Sequence, residues 1–188
     1  LFQSEALMAT PTQRTDNAIT IRTGPRPGDL GVVLALHGTH YHREYGFDER
    51  FEGYVAAGLA RFADALGAAR EDQDRTPPGW LWVAERAGEP VGTIALTDEG
   101  NGTGQVRWYL VVPAARRAGV GGRLLRVLLD HARTHGFHRL ILLTVDQLTA
   151  AARRYTEAGF AVADRQARHQ WGHDLVEVRY ELELTYSR

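Results

Sequence analysis

An apolar run ending Tyr109-Leu110-Val111-Val112 passes through Pro113-Ala114-Ala115-Arg116-Arg117-Ala118-Gly119-Val120-Gly121-Gly122 into the clearest helical pattern of the chain. In that helix, Gly119 to about Thr134, the residues Val120, Leu124, Val127, Leu128 and His131 share a face. Arg123, Asp130 and Arg133 lie off it, and Gly136 stands where a C-terminal cap belongs. A strand feeding a helix through a glycine-rich turn leaves unpaired N–H groups converging on one point, where the helix dipole adds roughly half a positive charge. Such a point attracts anions. Glycines at 119, 121 and 122 remove Cβ atoms so that oxygen ligands can reach the main chain, while Arg116, Arg117 and Arg123 supply charge for a diphosphate. No Ser, Thr, Asp or Asn precedes the helix to cap it. The plain alternative is a glycine turn with solvated arginines.

Spacing narrows the nucleotide readings. A Walker loop needs a lysine after its glycines, and none follows here; a dinucleotide fold needs its glycine fingerprint at the first strand, whereas this turn follows the fourth. Length and composition then set the frame. The 188 residues, 44% hydrophobic and 24% charged, suit one globular domain over residues 18–188. Without cysteine there is no disulfide, thiolate zinc site, iron–sulfur cluster or cysteine nucleophile, which fits a reducing cytoplasm. A net charge of -1 gives no global attraction to nucleic acid or anionic lipid, and no apolar run approaches the roughly 18 residues of a membrane span, so neither partner is expected. Leu1-Phe2-Gln3-Ser4 reads as the remnant of a cleavable tag, and the rest of residues 1–17 as a disordered lead-in.

Ala18 to Arg22 alternates as a half-buried strand. Asp29 to about Arg43 and Asp48 to about Leu66 read as helices, with Asp29 and Asp48 as N-caps, and Thr76-Pro77-Pro78-Gly79 closes the helical segment. Trp80–Ala84 and Val91–Leu96 flank the turn residues Ala87-Gly88-Glu89-Pro90 as a hairpin, and Gln105–Val112 belongs near the sheet centre. Arg139–Val145 is a buried strand, Thr149–Ala158 a short helix, and Phe160–Ala163 and Val176–Leu184 are closing strands. This order predicts an α/β (α+β) mixed, mostly antiparallel twisted sheet with helices on both faces.

Arg116-x-x-Gly119-x-Gly121 after a strand ending Val111-Val112-Pro113 resembles the acyl-CoA-binding motif of the GNAT superfamily of N-acetyltransferases. Ala151-Ala152-Arg153-Arg154-Tyr155-Thr156-Glu157-Ala158-Gly159-Phe160 is similar to its second signature, a short helix with Tyr four residues before Gly-Phe. More narrowly, Tyr41-x-x-Glu44-Tyr45-Gly46-Phe47-Asp48-x-x-Phe51-Glu52, Leu148–Ala151 and Trp171–Leu175 resemble the acetyltransferase half of bacterial proteins fused to a MarR-type winged helix.

The resemblance implies acetyl-CoA as cosubstrate and direct transfer to an amine, without a covalent acyl-enzyme. By that pattern Tyr109, Leu110 and Val111 present backbone groups to the pantetheine arm. Arg116, Arg117, Ala118, Gly119, Val120, Gly121 and Gly122 wrap the diphosphate, and Tyr155 protonates the departing thiolate. Many relatives carry an Asn seven residues before that Tyr; here the position is Leu148. The amine's proton goes to a residue or to a water chain; base candidates bordering the acceptor site are Glu44, Glu52, His173 and Asp174, with Glu44 favoured at the end of its helix. Tyr41, Tyr45, Trp108 and His173 are candidate acceptor-binding residues, the aromatics alongside Phe47 and Tyr109. His37-x-x-His40-x-His42 invites a metal reading, but His42 points off the shared face and the HExxH pattern is absent, so no metal is expected. The acceptor stays open between a small amine or amino acid, which the aromatics favour, and a protein N-terminus or lysine. A non-catalytic acyl-CoA sensor is the third reading, and pairing through Val176–Leu184 leaves room for a homodimer.

Overall fold

The computed structural model describes residues 18–72 and 77–184. The segments expected as a tag remnant and a lead-in over 1–17, and the expected boundary at Thr76, lie outside the described residues. Seven strands form one sheet in the order β1-β2-β3-β4-β5-β7-β6, comprising β1 (Ile19–Gly24), β2 (Gly79–Arg86), β3 (Glu89–Asp98), β4 (Thr103–Val111), β5 (Arg139–Val145), β6 (Ala161–Gln170) and β7 (His173–Glu183). Every neighbouring pair is antiparallel except β4 with β5. The expected mixed, mostly antiparallel sheet is thus present.

Strand pleating sorts the core into two layers. In β2, Leu81 and Val83 join the apolar layer of α1 (Asp29–Tyr45) and α2 (Glu49–Glu71), while Trp82 and Ala84 join that of α3 (Val120–Thr134) on the opposite side. Tyr155 of α4 (Thr149–Glu157) belongs to the α3 layer. Leu124 and Leu128 of α3 are fully buried there, which contributes about 1.5–3 kcal/mol for each side chain.

Several local expectations change. Asp48 caps α2, accepting a hydrogen bond from the Arg50 amide at 3.1 Å. Asp29 does not cap α1; Gly28 holds the N-cap position at φ 96°. The buried Asp29 carboxylate instead takes both ends of the Arg22 guanidinium at 2.7 and 2.8 Å, and Arg22 also donates to Glu85 at 2.6 Å. The β2–β3 turn tightens to Ala87-Gly88, both at positive φ, so β3 starts at Glu89. Both closing strands are longer than expected. Val176–Leu184 is not a sheet edge, because β7 lies between β5 and β6, and β6 forms that edge. No described helix is long and apolar enough to cross a membrane.

Two imidazoles make this core sensitive to acid. Burial pushes His37 down to about 4, and burial with His135 beside it pushes His131 down to about 4 as well. Both rings bind a proton more readily in the unfolded chain, near pH 6.5, than in the folded one. Their stabilisation is complete above pH 6.5 and is lost progressively as pH falls toward 4. Tm measured from pH 7.5 to 4.5 should therefore fall steadily, and His131→Phe should flatten part of that slope.

Candidate active site

The parallel pairing of β4 with β5 ends after three residues: Thr103, Gly104 and Gln105 oppose Arg139, Leu140 and Ile141. From Val106 to Val111, β4 has no strand partner on that side among the described residues. A bulge accompanies the parting. On the β3 side Thr93 opposes Leu110 but Ala95 opposes Arg107, so Trp108 and Tyr109 together face Ile94. Trp108 sits at φ 46°, a left-handed conformation costing a non-glycine residue roughly 1–2 kcal/mol, and the buried Thr93 hydroxyl donates to its carbonyl at 2.8 Å. The bulge sends the Trp108 ring into the α1–α2 layer and the Tyr109 ring toward the α3 layer.

Two cavities open at this split. A cleft of about 350 Å³ runs along Tyr109, Leu110 and Val111 to Arg116, Arg117 and Gly121, with Glu44 and Arg154 on its walls. A smaller cavity of about 110 Å³ lies among His37, Phe51, Trp108, Tyr155 and Trp171. Tyr41, Tyr109 and Leu148 line both.

At the cleft's head, Arg117 and Gly119 adopt φ 63° and 73°, which turns the chain into α3. The Arg123 amide is the first to bond back, to the Gly119 carbonyl at 3.0 Å; the amides from Arg117 to Gly122 have no partner among the described residues. Successive free amides around left-handed residues form an anion-binding nest, here at a helix N-terminus. A Cβ at Gly119 or Gly122 would meet nothing within 4 Å. Gly121 differs from the expectation that all three glycines clear space for a ligand. It is buried, and a Cβ there would lie 2.7 Å from the Tyr109 hydroxyl, so its bare Cα accommodates that ring.

The cations divide. Arg116 is locked in a two-pronged pair with Glu44, both contacts at 2.6 Å, and donates through Nε to the Val111 carbonyl at 3.0 Å. Arg123 donates to the Ile19 carbonyl at 2.9 Å. Arg117 and Arg154 have no carboxylate partner among the described residues. Arg154 packs against Gly121, and its position was legible in principle: Ala150, Ala151 and Arg154 recur at the spacing of one helical face.

Tyr155 is buried against Tyr109, Phe160 and Tyr180, and its hydroxyl bonds to no group among the described residues. Burial, reinforced by the Tyr41, Tyr109 and Tyr180 hydroxyls, holds its pKa well above the ordinary phenol value. Burial likewise pushes Tyr109 up to about 12, against the pull of Arg154.

Residues 40–160, well over half of the chain, match the family model described as the acetyltransferase (GNAT) family. The chain belongs to this family. Among curated relatives, a mycothiol acetyltransferase of Mycobacteroides abscessus is 29% identical over 84% of this chain and 51% of its own length. An IAA acetyltransferase of Azospirillum brasilense is 40% identical over 54% of this chain and 66% of its own. The chain thus spans between half and two thirds of the curated relatives it matches. Among solved structures, yncA of Salmonella typhimurium, determined with its cofactor acetyl-CoA, superimposes with TM-score 0.66 at 22% identity, covering 91% of this chain and 96% of that one. A GNAT-family acetyltransferase of Staphylococcus aureus Mu50 gives TM-score 0.70 at 19% identity over 89% and 100%.

Within this GNAT fold the remaining candidates separate clearly. Tyr41 and Trp108 line the small cavity, whereas Tyr45 lines the cleft. His173 lines neither; its Nε2 lies 3.0 Å from the Gly46 carbonyl and pins the corner between α1 and α2. Asp174 is exposed beside His169, and Glu52 lies against Gly38. The three histidines of α1 do not converge: His37 Nδ1 bonds the Val33 carbonyl, His42 Nδ1 the Phe47 carbonyl, and His40 lies 4.0 Å from Glu44. Among the described residues no group of three His, Asp or Glu could hold a metal ion.

The contact between Gly121 and Tyr109 can be tested by a double-mutant cycle. Gly121→Ala should cost about 1–3 kcal/mol in urea unfolding by overpacking, and Tyr109→Phe in the same chain should restore much of it.

Proposed function

We propose that this chain is an N-acetyltransferase that moves an acetyl group from acetyl-CoA directly to the amine of a small molecule or amino acid. The observation that carries the reading is the row of free amides from Arg117 to Gly122 at the head of a cleft that meets a second cavity beside Tyr155. Membership of the GNAT family and the acetyl-CoA complex of a fold neighbour support it.

In this reading the nest binds the diphosphate, aided by Arg117 and Arg154, and the unpaired flank of Tyr109, Leu110 and Val111 takes the pantetheine arm. Backbone N–H groups along that flank stabilise charge developing on the thioester oxygen. Tyr155, kept protonated by burial, gives its proton to the sulfur as the thiolate leaves. Arg116 and Glu44 take different roles from those expected. Both Glu44 oxygens are engaged by the Arg116 guanidinium, so Glu44 serves as a tie from the end of α1 to the cradle rather than as base. The small cavity's aromatic walls favour a small acceptor over a polypeptide. The proposed kinship with MarR-fused acetyltransferases belongs to the same reading, and the residues Tyr41, Phe47, Phe51 and Trp171 of its motifs pack ring against ring into one wall.

Acetyl-CoA should bind in calorimetry, and free CoA should appear with at least one of phenethylamine, tyramine, spermidine and L-phenylalanine; no binding would end the proposal. A hexapeptide acetylated faster than every small amine would redirect it to protein substrates. Tyr155→Phe should lower kcat about 100-fold or more while leaving acetyl-CoA affinity nearly unchanged. Glu44→Gln should keep kcat within about tenfold, since a lost general base costs more, and should raise KM for acetyl-CoA.

A further inference from the structure

His37 is 3% exposed on α1, and its Nδ1 lies 2.8 Å from the Val33 carbonyl. A carbonyl only accepts, so Nδ1 carries the proton and the neutral ring keeps its lone pair on Nε2. Nε2 has no hydrogen-bond partner among the described residues and is not sealed within the core, and the ring lines the small cavity. The same ring stacks at 5.7 Å and 13° on Tyr41, one of the side chains that line both the small cavity and the cleft. Burial disfavours the charged imidazole, so the lone pair is available at neutral pH.

The other proton acceptors are occupied or misplaced. Arg116 holds Glu44, and His40 stands beside that pair on the cleft side. His173 is committed to the α1–α2 corner, and Asp174 points to His169. Glu177 reaches the small cavity but lies 3.8 Å from Arg168.

We propose that Nε2 of His37 accepts the N–H of the acceptor amine in the small cavity and takes its proton during attack on the thioester. This assignment rests on the acetyl-transfer reading above and adds its missing base. The amine lone pair forms the C–N bond, and the nitrogen becomes acidic as it loses that pair, which lets a weakly basic imidazole receive the proton. The C–S bond breaks with its electrons on sulfur, and the Tyr155 hydroxyl protonates the thiolate. The products are the amide and CoA; the proton on His37 returns to Tyr155 through solvent, so the enzyme is unchanged.

Asparagine and glutamine separate the two ring nitrogens. His37→Asn places an amide donor near Nδ1, preserving the Val33 bond while removing Nε2. It should lose about 100-fold or more in kcat with the best amine of the panel, with acetyl-CoA affinity and Tm close to wild type. His37→Gln places an amide near Nε2 that orients the amine but takes no proton, so KM should hold while kcat falls similarly. Turnover within about threefold of wild type in either variant overturns the assignment. Should either variant fold poorly, nitrogen-15 NMR of the wild-type imidazole decides: a bare Nε2 at pH 7 supports the base, and a proton on Nε2 overturns it. Wild-type binding and turnover, run in parallel, separate this failure from failure of the acetyl-transfer reading.

Discussion

The hydrogen bond from the Thr93 hydroxyl to the Trp108 carbonyl governs the middle of the molecule. It holds one residue of β4 in a conformation the strand would otherwise reject, and the extra residue bends the chain where β5 departs. Without that bend, β4 and β5 could pair along their full lengths, and the sheet would close over the space that both cavities now occupy. Parallel pairing requires a crossover, and here the crossover begins with the free-amide turn and α3. The cradle and the gap beside it are therefore products of the same strand.

Local patterns in the sequence were sufficient for much of this. The apolar stripe of α3, the β2–β3 hairpin and the uncapped turn were legible because each depends on residues within a few positions of one another. β6 was only partly legible: it is exposed along nearly its whole length, so Ala163-Asp164-Arg165-Gln166 shows no alternation between core and solvent. Asp29 carries a local cap signal, but its carboxylate turns back to the Arg26 amide and the Arg22 guanidinium instead of capping α1. Glu44 and Arg116 are separated by 72 positions, and no spacing rule reports that a diphosphate-type arginine is already held by the carboxylate expected to act as base. The small cavity was legible only as a list of aromatic residues, since its shape depends on which side of the bulge each ring takes.

Electrostatics in the centre follow from exclusion of water. Tyr41, Tyr109 and Tyr155 are held in their neutral forms by the same burial that keeps His37 uncharged. These neutral groups share the small cavity with Arg107 and Glu177, while Arg116, Arg117 and Arg154 stand along the cleft.

The Tyr41 ring borders both cavities, together with Tyr109 and Leu148. A ligand that displaces the ring from one side changes the shape offered on the other, so the two occupancies are thermodynamically linked, and the factor by which each alters the other's affinity is the same in both directions.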